Sequence, residues 1–179
     1  MAGAFVGALG VLALSMVFSW PVSMPPGQAA QERMQIEARA EAFAAAFDAP
    51  PGTCLNWVNQ DGTDIRTVNC DEPHLFELTG NVDISVDHPP DTPPPPLDQW
   101  RDIARQRCAE GATNYLGGKL DPFGRFSVGA LKPSDEQWRS GDRKLRCGLQ
   151  RAAVSGRLIT TTGPAAHVDQ SDVYEPGTC

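Results

Sequence analysis

The sequence predicts an α+β protein: one small antiparallel sheet packed on a single helix, tied by two disulfides, preceded by an N-terminal transmembrane helix and a stalk helix. Three observations carry this expectation. Short apolar–polar alternations recur through the body, as in strands buried on one face. Within the body a single stretch, Leu97–Leu116, spaces its apolar side chains as a helix does. Four body cysteines follow an uncharged apolar leader, the setting in which disulfides persist.

The leader, residues 1–27, is the expected transmembrane anchor. Ala2–Met24 carries no charge, and only Ser15, Ser19 and Ser23 interrupt it. At a rise of about 1.5 Å per residue, roughly 20 such residues cross a hydrocarbon core of about 30 Å. Trp20 and Pro21 stand where an interfacial aromatic and a helix breaker belong. The competing reading is a signal peptide cleaved near Gly27-Gln28-Ala29, but the apolar run exceeds the usual 7–15 residues or so and no basic segment precedes it. An anchor with its N-terminus inside should also carry cytoplasmic Lys or Arg, so the natural chain is expected to begin upstream of Met1. The lipid bilayer is thus the expected partner of residues 2–24, with the globular part extracytoplasmic. All 15 basic and 22 acidic side chains lie from Glu32 onward, for a net charge of −7. Such a balance argues against nucleic-acid binding, which relies on Lys and Arg to neutralise phosphates.

Residues 28–49 form the expected stalk helix. They are rich in Ala, Glu and Gln, with Ile36, Ala40, Phe43 and Phe47 in one apolar stripe, and Pro50-Pro51 ends the run. The stripe is expected against the protein's own body. The body proper, residues 50–162, opens with a hairpin of Cys54–Val58 and Ile65–Cys70 and continues with a strand over Leu75–Val86. In that strand Leu78, Val82, Ile84 and Val86 suggest alternation, with Gly80 as a bulge. His88–Pro96 holds six prolines and reads as extended, exposed linker. The helix Leu97–Leu116 gathers Trp100, Ile103, Ala104, Cys108, Ala112 and Tyr115 on one face, and Gly117-Gly118 caps it. Phe126, Val128 and Ala130 alternate as a strand, Pro133–Gly141 reads as a polar turn, and Leu145, Cys147 and Leu149 alternate in the next strand. Gly156 breaks that run before a short last strand, Arg157–Thr161. The expected order is β-β-β-α-β-β.

Five cysteines stand at Cys54, Cys70, Cys108, Cys147 and Cys179. None forms a Cys-x-x-Cys, and Cys70 and His74 are separated by Pro73 with no second pair, so neither a metal nor a cofactor is expected. Four cysteines allow three pairings. The turn-rich Asn59–Asp64 segment favours Cys54 with Cys70, leaving Cys108 for Cys147, and each bridge is worth about 3–4 kcal/mol. Cys179 is left unpaired. It closes a Pro-Gly-Thr-Cys tetrad identical to Pro51–Cys54, so residues 163–179 read as a linker and the start of a truncated second copy.

The succession PGTCLNW, VNCDEPHLFEL, a helix ending in RQRC, and PSDEQWRSGDRKLRCGL resembles the septum-formation domain of actinobacterial envelope proteins. The resemblance covers about residues 51–151 and rests on Gly52 and Cys54; on Cys70, Pro73 and His74; on Cys108; and on Trp138, Gly141, Asp142, Arg143 and Cys147. It implies a membrane-anchored module facing the cell wall and tied to division or envelope growth, it agrees with the favoured cysteine pairing, and it carries no catalytic activity with it.

No catalytic residue is assigned. There is no Gly-x-Ser-x-Gly, and the cysteines are committed to bridges. His74 beside Asp71 or Glu72 could form an acid–base pair, but a His directly after Pro more often fixes a turn. Asp135-Glu136 reads as solvated and Asp142-Arg143 as an ion pair or a turn cap; Trp57, Trp100 and Trp138 read as core, with an exposed Trp138 the exception that would mark an interface. The expected function is therefore a non-enzymatic interaction module whose partners are envelope or septal proteins. The alternatives are a wall-glycan binder or hydrolase using His74 with Asp142-Arg143, and an accessory subunit of a larger membrane complex docked through Ile36–Phe47.

Overall fold

A computed structural model describes residues 26–171. The expected anchor, with Trp20 and Pro21, and the second tetrad, with Cys179, lie outside the described residues. Among those described, no helix is long and apolar enough to cross a membrane. The elements in chain order are α1 (Pro26–Phe47), β1 (Cys54–Asn56), β2 (Arg66–Val68), β3 (Phe76–Asp83), α2 (Leu97–Leu116), β4 (Ser127–Leu131), α3 (Asp135–Arg139), β5 (Lys144–Ala152) and β6 (Leu158–Ile159), closed by a 3-10 turn at Ala165–His167. The sheet runs β2-β1-β3-β5-β4 with antiparallel neighbours throughout, and β6 pairs with the far end of β5.

Helix α2 covers one face of the sheet. The side chains it buries are small, Ala104, Cys108 and Ala112, so its backbone settles close to Leu145, Cys147 and Leu149. That approach brings the Cys108 and Cys147 Cα atoms to 5.2 Å, within disulfide reach, and the two are bonded; Cys54 and Cys70 are bonded at 5.3 Å. Gly117 ends α2 in the left-handed region at φ 65°, which favours glycine.

The opposite face is covered as well. Phe47, Leu55, Phe76 and Leu78 form its core, with the last turn of α1 laid across it. The sequence alternation in β3 is not continuous, because the register shifts between Leu78 and Gly80. Leu78 therefore packs with Phe76 behind the sheet, whereas Val82 and Ile84 join Cys108 and Trp138 on the α2 side. Gly80 absorbs the irregularity at φ 152°.

Only the C-terminal end of α1 is docked. Ala46 and Phe47 are buried and Phe43 half-buried, but Ile36 remains 59% exposed, so the expected stripe is buried over a single turn. Arg146, from the middle of β5, holds that turn. Its Nε donates to the Phe47 carbonyl (3.3 Å), Nη1 donates to the Lys144 carbonyl (2.7 Å) and to Asp142 Oδ2 (3.0 Å), and the guanidinium lies 4.7 Å from the Phe47 ring centre. A cation at the last carbonyl of a helix also complements its dipole. Arg146→Ala is expected to cost about 2 kcal/mol and to release α1, seen as rapid proteolysis within residues 26–47 while the rest of the body stays resistant. Unchanged protection of α1 would show that Arg146 does not hold it.

The loop from β1 to β2 is organised by carboxylates. Asp64 accepts from the Val58 and Asn59 backbone N–H groups, both at 2.9 Å, and the Val58 hydrogen bond is the first cause holding its carboxyl below the ordinary value of 3.8. A depressed carboxylate contributes stability that is complete above its unfolded pKa and lost as pH falls through the folded value. The Val58 and Asn59 amide resonances are therefore expected to titrate together with a midpoint below 3.8, and in Asp64→Asn this shared step disappears. A midpoint at or above 3.8 would contradict the assignment.

Two segments differ from their expected form. Pro133–Gly141 is not a plain turn but contains α3, started by a capping box in which Ser134 accepts from the Gln137 N–H and Gln137 accepts from the Ser134 N–H. Residues 163–171, expected as linker, lie on the body. Gly163 donates to the Cys70 carbonyl, Ala165 is buried beside Phe126 and Leu149, and the Ser171 carbonyl accepts two bonds from Arg125.

Candidate functional site

Two groups of buried polar side chains are built from the residues singled out in the sequence. The first lies beneath the Cys54–Cys70 bridge. His74, just before β3, is 1% exposed; its Nδ1–H donates to the Glu72 carbonyl (2.9 Å), leaving Nε2 to accept from the Thr161 hydroxyl (3.2 Å). The His74 and Thr161 backbones also exchange both hydrogen bonds of an isolated bridge. Glu77, 2% exposed, accepts from the Tyr115 hydroxyl of α2 and, at 2.6 Å, from the Ala165 N–H, and its Oε2 stands 3.9 Å from His74 Nε2. Burial first, then the hydrogen bond to Glu77, pushes the Tyr115 phenol well above its ordinary value, so it remains a donor. The group stitches three pieces of chain together: β3, α2 and the segment after β6. Pro73 sits at its edge, its carbonyl accepting from Asn56 Nδ2. Asp71 and Glu72 are exposed, and the hydrogen bond Glu72 offers His74 comes from its backbone; the acid–base pair is replaced by a turn contact.

The second group lies at the far end of the sheet. Trp138, on α3, is 3% exposed, and its indole N–H donates to the Thr92 carbonyl (2.8 Å). Arg143 lies 3.7 Å over the Trp138 ring and places its five N–H donors on backbone carbonyls: Nε on His88, Nη1 on Trp138 and Asp142, Nη2 on Pro89 and Pro90. Gly141, at φ 96°, makes the sharp exit from α3 that brings Asp142 and Arg143 back under it. Asp142 accepts from the Lys144 N–H and pairs with Arg146, not with Arg143. The Trp-x-x-Gly-Asp-Arg run is thus a clasp on the proline-rich segment. What reads in sequence as open linker has its first carbonyls fixed in place.

These groups do not converge. Phe76 pairs with Gln150 at one end of the β3–β5 ladder, and Asp83 pairs with Lys144 at the other. At about 3.3 Å per residue, His74 and Arg143 stand about 25–30 Å apart, so a hydrolytic centre combining His74 with Asp142-Arg143 is not assembled. Asp135 and Glu136 sit exposed in the first turn of α3. Trp57 and Trp100 are half-buried against the two cores. One apolar concavity of about 390 Å³ runs between Phe43, Phe47, Ile65, Leu97, Trp100 and Leu131.

Glu77, Thr161 and Arg146 carry much of this construction and were not singled out in the sequence, and Tyr115 was read only as part of the apolar face of α2. Glu77 and Arg146 sit in strands with apolar neighbours, where alternation assigns them to a solvent face. Both faces are in fact covered.

Fold and sites together define a disulfide-stapled α+β domain whose distinctive polar residues hold its own loops and helices in place. The septum formation family is matched over residues 51–179, and the chain belongs to it. It is 31% identical over 133 residues to two proteins from two strains of Mycobacterium tuberculosis, each described as an uncharacterized membrane protein. Those matches take in 72% of this chain and 30% of each relative, so the chain spans less than a third of their length. No solved structure matches it.

Proposed function

We propose that this chain is a membrane-anchored, extracytoplasmic module of the cell envelope that acts by binding septal or envelope proteins rather than by catalysis. The observation that carries the reading is the union, in one chain, of an uncharged apolar leader with a two-disulfide domain of the septum formation family. The relatives' description as membrane proteins supports the anchor. The binding role is supported by the use made of the family residues: His74, Asp142, Arg143 and Trp138 are hydrogen-bonded into the scaffold at opposite ends of the sheet. Chemical crosslinking in intact cells, followed by recovery of the full chain from membranes, tests the reading. Recovery of division or wall-synthesis proteins above background is the expected result; their absence, or recovery of the chain from the cytoplasmic fraction with free thiols, overturns it.

A second reading, an accessory subunit of a larger membrane complex, is favoured by α1, whose Met34 and Ile36 are 61% and 59% exposed. Replacing both by Gln would release the protein from such a complex, whereas unaltered co-purification disposes of that reading.

A further inference from the structure

The Cys54–Cys70 bridge covers an unusual set of neighbours. Cys54 Sγ, a ring nitrogen of His74 and a carboxylate oxygen of Glu77 all lie within 4.8 Å of one another, and all three residues are buried. Cys70 Sγ, bonded to Cys54, stands outside that group and would supply the fourth donor once the bridge opens. Two sulfurs, one imidazole and one carboxylate form the donor set of a tetrahedral zinc-type site. We propose that this bridge is a masked metal site: when a dithiol opens it, Cys54, Cys70, His74 and Glu77 bind one divalent ion of the zinc class.

The supporting shell is already in place. Ligating histidines donate their second ring N–H to a carbonyl or carboxylate, and ligating carboxylates are hydrogen-bonded in turn. His74 Nδ1–H is committed to the Glu72 carbonyl, so the Nε2 lone pair faces Glu77 and Thr161. Glu77 is steadied by the Tyr115 hydroxyl on one oxygen and the Ala165 N–H on the other. Tetrahedral coordination at about 2.0–2.3 Å puts neighbouring ligand atoms roughly 3.3–3.8 Å apart. The 3.9 Å between His74 Nε2 and Glu77 Oε2 is already near that range. The ion would displace the Thr161 hydroxyl from Nε2.

The opening step balances as ordinary thiol–disulfide exchange. A reductant thiolate attacks Cys70 Sγ, the half-buried sulfur, and Cys54 leaves as a thiolate into the pocket beside His74. The reductant's second thiol then displaces Cys70, so the bridge gains two electrons and two protons while the dithiol becomes a disulfide. On binding, the ion takes both sulfurs as thiolates and two protons pass to solvent. The oxidised protein offers no thiolate here, so the metal and the bridge exclude each other.

The inference stands apart from the envelope reading, and either can fail alone. The test uses the full chain in detergent, with Cys179→Ser to remove the extra thiol, and Co²⁺ as probe. After reduction by dithiothreitol and removal of the reductant under nitrogen, one equivalent of Co²⁺ is expected to bind, with thiolate-to-cobalt charge transfer and intense tetrahedral d–d bands. The oxidised protein should bind none, and His74→Ala or Glu77→Gln should weaken binding at least tenfold. Because either variant could disturb the fold, X-ray absorption on the zinc-loaded, reduced Cys179→Ser chain gives an independent answer: two sulfurs near ~2.3 Å and two lighter atoms near ~2.0 Å. A four-sulfur shell, absence of the cobalt–thiolate band, or equal binding by the oxidised protein would overturn the proposal.

Discussion

Gly148→Ala is expected to destabilise the body by about 3 kcal/mol or more, lowering the melting temperature by roughly 6–12 °C. The reason is steric and local. A Cβ at this position would lie 2.2 and 2.5 Å from Phe76 ring atoms and 2.5 Å from the Glu77 carbonyl oxygen. The ring cannot simply swing away, because it is buried among Leu55, Leu78 and Phe47. Gly129, the cross-strand partner of Gly148, lies under the same ring, and an added Cβ there would stand 3.0 Å from it. The Glu77 carbonyl is fixed in the β3–β5 ladder, where Glu77 faces Leu149. Thermal unfolding followed by circular dichroism measures the loss. Phe76→Leu in the Gly148→Ala background should cost less than it does alone, the mark of direct coupling. An unchanged melting temperature would mean that the tight stacking over Gly148 is absent.

Arg143→Ala is the second large effect, at about 3 kcal/mol. Truncation removes a donor from five carbonyls, of which only those of Trp138 and Pro89 keep another, and uncovers the Trp138 ring. The loss should be concentrated in residues 88–92, which become protease-sensitive while the Cys54–Cys70 end of the sheet stays closed. Arg143→Lys should recover little, since an ammonium cannot spread five planar donors over carbonyls from two segments. This outcome separates scaffold from ligand contact. A ligand-binding arginine is removed with little change in stability, and wild-type stability in Arg143→Ala would return that residue to the list of candidate contacts.

The sequence signals were strongest where one period ran uninterrupted. Helix α2 falls on Leu97–Leu116 as its apolar spacing and terminal glycines indicate, and Gly80 marks the irregularity in β3. The favoured bridges are the ones formed, because a turn-rich spacer returns β2 beside β1 and a small-residue face lets α2 approach β5. The failures share one cause, burial of surface that alternation assigns to water. Glu77 and Arg146 occupy strand positions opposite apolar neighbours, and a polar residue there ordinarily faces solvent. Here α2 covers one and the end of α1 covers the other, and neither long-range contact leaves a trace in local periodicity. The helix α3 was hidden by its polar composition, although Ser134 and Gln137 have the spacing of a capping box. Tail residues 163–171 looked like a spacer because Gly163-Pro164-Ala165-Ala166 is small and bland, yet small size is what lets Ala165 lie against Glu77.

The narrow attachment of α1 has a mechanical corollary. Its 22 residues make a rod about 33 Å long, and one turn of that rod grips the body. A rotation of about 10° at this grip swings the far end by roughly 6 Å, given that length. The rod is thus a lever with its fulcrum at Phe47, and a load on its N-terminal end is passed to β2, against which its last turns lie, and to Arg146 of β5.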